Sequence, residues 1–272
     1  MTISIAPTLA GMATYPFVRL EDARRRLVAE GVDVIDFGKG DPNEPTDPSI
    51  RQALADALTE RLPYPLARGL PELRTAVAAW CERRFGVSLD PDTEIVPTYG
   101  SKEAIFSLAQ VLVDPRSDKR LVVLGEPAYP VYERGALFAG AEVHTLPLLR
   151  ENGFLPDLDA VEGDTWRRTA IVWVNYPNNP TGALAPLSFY ERLTELAERF
   201  NFAIASDEAY TELWFDEAPV SALQVVDRSR VIVFQTLSKR SSMTGYRSGF
   251  VAAPPEVIGA LKSYRPTVGT AP

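Results

Sequence analysis

Over most of the chain, short runs of apolar residues alternate with stretches in which apolar residues recur at helical spacing. C-terminal to Phe85, short apolar runs rich in branched residues are separated by stretches with apolar residues at helical spacing. The short runs predict strands at Glu94–Thr98, Leu121–Gly125, Val143–Pro147, Ala170–Asn175, Phe202–Ser206, Val231–Thr236 and Gly249–Ala253. The intervening stretches predict helices at Lys102–Leu112, Tyr129–Ala139 and Ser188–Phe200. This alternation is typical of an α/β domain with a mostly parallel sheet covered by helices on both faces.

The N-terminal part has a different pattern. It predicts an amphipathic helix around Leu20–Glu30, a short strand at Val32–Phe37, and a loop at Gly38–Pro48 that contains three prolines and two glycines. Further helices are predicted at Pro48–Thr59 and at Pro71–Phe85, where a proline occupies the first turn. We interpret residues 1–40 as an arm that precedes the alternating region.

Composition and charge exclude several classes of protein. The chain has 272 residues and a net charge of -8, which argues against a nucleic-acid surface. The basic run Arg24–Arg26 lies on a predicted helix and is interpreted as a solvated face. No segment approaches the roughly 18 unbroken apolar residues of a membrane span. The N-terminus lacks the basic and apolar regions of a secretion signal.

The chain has one cysteine, Cys81, and one histidine, His144. A lone thiol forms no internal disulfide, which is consistent with a reducing cytoplasm. One cysteine with one histidine also disfavours a zinc site and a nucleophilic cysteine. We therefore expect the chemistry to come from Lys, Asp, Tyr, Asn and Arg side chains, or from a bound cofactor.

Polar residues follow the predicted strands at the ends where ligands bind in such sheets. Thr98–Glu103 ends a strand and opens a helix, so its N–H groups and the Ser101 hydroxyl suit an anion such as phosphate, although Ser101 as an ordinary N-cap is the alternative. Asn175–Gly182 has two prolines and a glycine that fix a rigid loop around Asn179, in which the Asn179–Pro180 bond can be cis; a simple turn is the alternative.

Two further polar stretches follow later strands. In Ser206–Tyr210, Asp207 ends a buried strand, where a carboxylate is costly unless a cation or donor meets it; capping of the next turn is the alternative. In Thr236–Gly249, Lys239 precedes Arg247 by eight residues among many hydroxyls. Arg247 and the hydroxyls suit a phosphate, and the lysine amine suits a Schiff base, although a solvated surface lysine is the alternative.

The order and spacing of these four stretches resemble the PLP (pyridoxal 5′-phosphate) enzymes of fold type I, and within them the class I/II aminotransferases, along all 272 residues. The resemblance implies an α/β fold with a mostly parallel seven-stranded sheet covered by helices. It also implies an N-terminal arm with part of a small domain at residues 1–45, a large PLP-binding domain at residues 46–272, and an incomplete small domain.

The resemblance also implies a role for each polar residue around the cofactor. Lys239 is implied to hold PLP through a Schiff base and to shuttle a proton between substrate and cofactor. Asp207 is implied to pair with the pyridine nitrogen. Asn179 and Tyr210 are implied to bind the ring's 3′ oxygen, and Tyr129 to stack on the ring. The residues implied to form the phosphate site are Gly100, Ser101, Lys102, Ser238 and Arg247.

Two more residues are implied to act at the substrate side and across subunits. The backbone of Gly40 is implied to touch the substrate carboxylate, beside Tyr129 and Asn179. Tyr64 is implied to reach the phosphate of a neighbouring subunit, which implies a homodimer with shared active sites. No metal ion is expected.

Within the class, the chain is similar to the N-succinyldiaminopimelate aminotransferases of lysine biosynthesis. The supporting stretches are Tyr15–Leu20, Asp36–Pro42, Gly100–Phe106 and Pro130–Ala136. The resemblance implies amino transfer between N-succinyl-LL-2,6-diaminopimelate and 2-oxoglutarate. Enzymes acting on LL-diaminopimelate, alanine or aspartate share much of this pattern. A β-lyase or decarboxylase on the same fold is a further alternative.

One departure from the family concerns the C-terminal part. The family continues beyond the position of Pro272 into a region with the arginine that grips the substrate α-carboxylate. Arg265 precedes that region and does not replace it. We therefore expect a C-terminally truncated chain, in which the cofactor site is encoded and the substrate site is incomplete. A PLP-binding but catalytically silent fragment is the corresponding alternative.

Overall fold

The structure is a computed structural model that describes residues 3–12, 16–38, 40–61 and 63–269, without the side chains of Pro16 and Phe17. Tyr15, Lys39 and Pro272, which figure in the sequence predictions, lie outside the described residues. The contacts divide the chain into two compact units, Met1–Glu44 and Pro45–Pro272.

The first unit contains helix α1 (Pro7–Ala10) and helix α2 (Pro16–Ala29). The basic run Arg24–Arg26 of α2 is exposed, as expected for a solvated face, and Arg24 forms an ion pair with Asp36 at 3.2 Å. The strand predicted at Val32–Phe37 is wrong, because this segment has no regular secondary structure. Its apolar side chains are largely exposed, with Phe37 at 93%, and an isolated apolar run forms a strand only when its backbone groups find a partner strand.

The second unit is built on a seven-stranded sheet. Its strands agree with the predicted ones to within one residue at each end: β1 (Ile95–Tyr99), β2 (Leu121–Glu126), β3 (Glu142–Pro147), β4 (Thr169–Asn175), β5 (Ala203–Asp207), β6 (Val231–Thr236) and β7 (Ser248–Ala252). The order in the sheet is β1-β7-β6-β5-β4-β2-β3. Only β7 is antiparallel to its neighbours β1 and β6, so the sheet is mostly parallel, as predicted.

The helices of this unit are α3 (Pro48–Asp56), α4 (Pro71–Phe85), α5 (Ser101–Leu112), α6 (Val131–Phe138), α7 (Gly163–Arg168), α8 (Leu187–Phe200), α9 (Leu237–Arg240) and α10 (Pro255–Val268). Local chemistry fixes several ends: the Asp47 carboxylate caps α3 by accepting from the Ser49 N–H at 2.8 Å, and Gly86 ends α4 with a φ of 70°. The sequence analysis missed α1, α7, α9 and α10. The last of these has Pro266 inside it, which in a sequence indicates a helix end.

Two apolar cores lie on opposite faces of the sheet. Alternate residues of a strand point to opposite faces, so Val123 and Val172 join the core that includes residues of α4 and α8. Val122 and Ile171 join the other core, with residues of α5, α6 and α10. The sheet is therefore covered on both faces, as predicted. None of the described helices combines the length and apolar character needed to span a membrane.

Candidate active site

The predicted polar residues of the second unit, apart from Tyr64, lie at one edge of the sheet. We call it the carboxyl edge, because the six parallel strands end there and the antiparallel β7 begins there. Arg247 immediately precedes β7 and thus reaches the same edge from an antiparallel strand. The other residues follow parallel strands: Gly100, Ser101 and Lys102 after β1, Tyr129 after β2, Asn179 after β4, Asp207 and Tyr210 at and after the end of β5, and Ser238 and Lys239 after β6.

Asp207 has a buried and only partly satisfied side chain at this edge. It is the last residue of β5 and is only 5% exposed. Its Oδ2 atom accepts a hydrogen bond from the Tyr132 hydroxyl at 2.7 Å, whereas its buried Oδ1 atom has no partner among the described residues. Burial raises the pKa of Asp207 from 3.8 to about 6, although the hydrogen bond from Tyr132 and a weaker one from the Ala209 backbone N–H lower it. A donor or cation placed at Oδ1 would relieve this cost.

The sequence analysis missed Tyr132, which holds this carboxylate. Tyr132 lies in α6, is buried, and stacks on Trp173 with ring centroids 4.6 Å apart and planes 13° apart. Burial, followed by the charge of Asp207, raises the pKa of Tyr132 well above its usual value, so the hydroxyl stays protonated and acts as the donor. The available signal was its position three residues after Tyr129, whose ring makes an edge-on contact with it at 5.7 Å.

Asn175 connects the loop after β4 to β5 through hydrogen bonds, and the sequence did not reveal this contribution to the site. Its side-chain amide donates to the Asp207 carbonyl at 2.8 Å, and its Oδ1 atom accepts from the Asn179 N–H at 2.9 Å. The Tyr176–Pro177 and Asn179–Pro180 bonds are both cis, the second of them as the sequence allowed. The Asn179 side chain is exposed at the carboxyl edge, where its amide can meet a ligand.

The N-terminus of α5 has no side-chain cap. Gly100 is the N-cap residue and provides no side-chain cap, so Ser101 as an ordinary N-cap is wrong: Ser101 is the first residue of the helix. Gly100 has a φ of 69°, and a Cβ atom at this position would collide with the Arg247 guanidinium. Glycine is therefore required here for both its backbone conformation and its small size.

Arg247 is fixed against this helix N-terminus. Its Nη1 atom donates to the Thr244 carbonyl at 2.7 Å and its Nη2 atom to the Tyr99 carbonyl at 3.3 Å. The residue adopts a left-handed conformation, with a φ of 56°, which is uncommon outside glycine and occurs often at functional sites. A guanidinium beside a helix N-terminus is suited to an anion with several oxygens.

Lys239 lies in the short helix α9, directly after β6. Thr236 caps this helix by accepting from the Ser238 N–H at 3.2 Å, and the Thr236 and Ser238 hydroxyls lie 2.9 Å apart. Lys239 is partly buried, unlike the solvated surface lysine of the alternative interpretation. The next residue, Arg240, lies over the Trp80 ring at 4.4 Å, which anchors the end of α9.

The remaining predicted residues differ in their surroundings. Tyr129 and Tyr210 are partly buried, and the Lys102 Nζ atom lies 5.9 Å from the centre of the Tyr129 ring. Tyr64 is 96% exposed in a loop of the second unit, and Gly40 is an exposed residue of the first unit. The described residues contain no group of three or more His, Cys, Asp and Glu side chains with the geometry of a metal site.

A family model and known relatives are similar to this chain. The family model described as aminotransferase class I and II matches residues 32–269. An LL-diaminopimelate aminotransferase of Nitratidesulfovibrio vulgaris (strain DP4) is 43% identical over 262 residues, which cover 94% of this chain and 67% of the relative. One from Aquifex aeolicus (strain VF5) is 43% identical over 258 residues, covering 93% and 66%. The chain thus spans about two thirds of the length of these relatives.

Solved structures show the same fold. An aminotransferase of Neisseria meningitidis is 37% identical with a TM-score of 0.90, covering 98% of this chain and 70% of that one. An aspartate aminotransferase of Thermus thermophilus with maleate is 32% identical with a TM-score of 0.87, covering 100% and 70%. These similarities confirm the predicted fold type I.

Proposed function

The chain belongs to the aminotransferase class I and II family, which depends on PLP, and on that premise we propose that it binds PLP at the carboxyl edge through Lys239. The observation that carries this proposal is the Oδ1 atom of Asp207, which is buried and has no partner among the described residues. A protonated pyridine nitrogen is a cationic donor that would satisfy it. The uncapped N-terminus of α5 and the neighbouring Arg247 likewise suit the phosphate of PLP.

The chain's residues divide the chemistry between them. When bound, PLP supplies an electron sink for the carbanion that forms at the substrate Cα atom. We assign to Asp207 the task of keeping the ring nitrogen protonated, with Tyr132 holding the carboxylate through its hydroxyl. The Lys239 amine moves the proton between the substrate Cα atom and C4′ of the cofactor.

Other residues orient the cofactor and the substrate in this proposal. Asn179 and Tyr210 donate to the 3′ oxygen of the ring, and Tyr129 covers one ring face. Asn179 and Tyr129 also border the substrate. The phosphate is bound by the N-terminus of α5 and by basic and hydroxyl side chains, namely Gly100, Ser101, Lys102, Ser238 and Arg247.

A homodimer with shared sites is part of the proposal. Tyr64 is 96% exposed, so its side chain is accessible to a neighbouring subunit. We assign it to the phosphate of the neighbouring subunit. A cytoplasmic location stays a prediction from the sequence.

For the substrate, we propose amino transfer between a diaminopimelate-type amino acid and 2-oxoglutarate. The names of the relatives favour LL-diaminopimelate. The stretches Gly100–Phe106 and Pro130–Ala136 support N-succinyl-LL-2,6-diaminopimelate as the second candidate. The two differ in the group on the distal amine, which is charged in the first and acylated in the second.

A coupled assay tests the reaction. The purified chain is loaded with PLP and given 2-oxoglutarate with LL-diaminopimelate, N-succinyl-LL-2,6-diaminopimelate, alanine or aspartate in turn, and glutamate formation is followed. We expect the highest kcat/KM with one of the two diaminopimelate donors and no turnover by Lys239→Ala. Equal or higher kcat/KM with alanine or aspartate would contradict the substrate assignment. PLP binding without turnover of any donor would favour the silent, cofactor-binding alternative.

A further inference from the structure

We propose that Glu103 and Arg265 are positioning residues that hold the N-terminus of α5 in the conformation that receives the cofactor phosphate. This inference rests on the proposed function and extends it to two residues that the family resemblance did not assign to the site. Neither residue is proposed to touch the cofactor.

The two residues form a partly buried ion pair between helices. Arg265 lies in α10 and is 1% exposed, and Glu103 lies in the first turn of α5 with a side chain that is 21% exposed. The Arg265 Nε atom donates to Oε1 of Glu103 at 3.0 Å, and its Nη2 atom donates to Oε2 at 3.4 Å. A guanidinium this deeply buried is strongly unfavourable without such a partner, so the pair fixes α10 against the start of α5.

The pair also acts on the turn between β1 and α5. Oε2 of Glu103 accepts a hydrogen bond from the Tyr99 N–H at 3.3 Å, while the Tyr99 carbonyl accepts one from Arg247 at 3.3 Å. Tyr99 is thus held on one side by Glu103 and on the other by Arg247. Gly249 packs behind the same turn so closely that a Cβ atom there would lie 3.1 Å from the Gly100 carbonyl carbon.

The charge of Glu103 explains why the pair matters to a phosphate. Glutamate at this position of a helix often belongs to a capping box, in which a serine or threonine N-cap also satisfies a helix N–H. Here the N-cap is Gly100, which has no side chain to cap the first turn of α5. An unpaired carboxylate in the same turn would repel a phosphate dianion, and Arg265 neutralises it from inside the protein.

The test separates phosphate recognition from general stability by comparing PLP with pyridoxal, which lacks the phosphate. Dissociation constants for both are measured from the absorbance of the lysine-bound cofactor, with Glu142→Gln as a matched control for loss of an arginine-bound carboxylate elsewhere. For Arg265→Met we expect about a tenfold loss of PLP affinity and less than about a twofold change for pyridoxal. Adding Glu103→Gln should recover most of the loss, because it removes the unpaired charge.

Each possible result either supports or overturns the inference that the pair positions the phosphate site. Equal losses for PLP and pyridoxal in Arg265→Met, or no recovery in the double variant, would overturn the inference and leave the pair a merely structural contact. If Arg265→Met does not fold, Arg265→Lys and the double variant are compared with the wild type instead. For both variants, we expect the ratio of PLP affinity to pyridoxal affinity to stay within about threefold of the wild-type ratio. A wild-type chain that binds pyridoxal and PLP equally, or neither, would overturn the proposed phosphate site itself and this inference with it.

Discussion

Buried carboxylates at the carboxyl edge of the sheet and a paired carboxylate at the amino edge have pKa values shifted in opposite directions. At the carboxyl edge, burial raises the pKa of Asp207 to about 6 and that of Glu208, the next residue, to about 7. At the amino edge, where the parallel strands begin, hydrogen bonds from Arg120 and Arg168 lower the pKa of Glu142. The amino-edge carboxylate is paired within the fold, whereas Asp207 retains an unsatisfied oxygen.

Carboxylates paired within the fold characterise the amino edge as structural, whereas an unsatisfied buried carboxylate characterises the carboxyl edge as a functional one. In an ion pair such as Arg120–Glu142, each charge is satisfied by the other, so neither needs a ligand to compensate it. A buried carboxylate with one unsatisfied oxygen destabilises the fold until a donor binds there, and perturbed groups of this kind cluster at functional sites. The comparison predicts that substitutions at the carboxyl edge change cofactor binding, and that matched substitutions at the amino edge do not.

The largest expected effect is that of Asp207→Asn on cofactor binding. The amide keeps the size of the side chain but loses the charge that is proposed to pair with the pyridine nitrogen, so we expect PLP affinity to fall by about 100-fold, or about 3 kcal/mol. The measurement is a titration of the cofactor-free protein with PLP, followed by absorbance. Glu142→Gln at the amino edge is the control and should bind PLP as the wild type does. Unchanged PLP affinity in Asp207→Asn would break the comparison.

Next in size is the pH dependence that Glu208 gives to stability. Its carboxylate accepts from the Ser206 hydroxyl at 3.0 Å and from the Ala222 N–H at 2.8 Å, but burial dominates and raises its pKa from 4.5 to about 7. The folded state therefore keeps a proton that the unfolded state releases. This contribution is fully present below pH 4.5 and is lost as the pH rises to about 7, by on the order of 3 kcal/mol.

We expect Glu208→Gln to lack this decline. Urea unfolding of the cofactor-free protein between pH 4.5 and 8 should show the variant gaining stability relative to the wild type as the pH rises. Glu142→Gln should show no such gain over this range, because arginine pairing lowers the pKa of Glu142 below 4.5 and its contribution is lost only at lower pH. Parallel pH curves for wild type and Glu208→Gln would contradict the raised pKa.

A smaller effect is expected from Tyr132→Phe. The substitution removes the hydrogen bond to Oδ2 of Asp207 and should cost about 1.5–3 kcal/mol of unfolding free energy at pH 8, where the carboxylate is ionised. The cost should be lower at pH 5, where Asp207 is largely protonated. Tyr176→Phe is the matched control, since the buried Tyr176 hydroxyl donates to the neutral Phe154 carbonyl at 2.8 Å. Equal pH dependence of the two variants would show that the Asp207 charge is not involved.

The sequence predicted the sheet well because its strands are short apolar runs bounded by turn residues. It failed at Val32–Phe37, where the same kind of run has no partner strand, and at α10, where Pro266 lies inside the helix. Strand pairing and tertiary packing decide such cases, and neither is encoded in local periodicity.

The site residues were predictable to the extent that they follow strands. Lys239, Asp207 and Asn179 each follow a strand in a polar stretch, and the topology brings them to one edge. Tyr132 and Arg265 were not assigned to the site, because each acts through a residue distant in the chain: Tyr132 through Asp207, and Arg265 through Glu103. Aromatic and arginine residues on helices usually serve packing or the surface, so their sequence positions alone did not single them out.

Reductive trapping tests most directly the central claim that Lys239 holds PLP. The chain is incubated with PLP, reduced with borohydride, digested with trypsin and analysed by mass spectrometry. We predict the pyridoxyl mass on the peptide Val231–Arg240, in which the modified Lys239 blocks cleavage, and no label on that peptide in Lys239→Ala. A label on Lys102 or Lys262 in place of Lys239, or an unlabelled wild-type chain, would contradict the account.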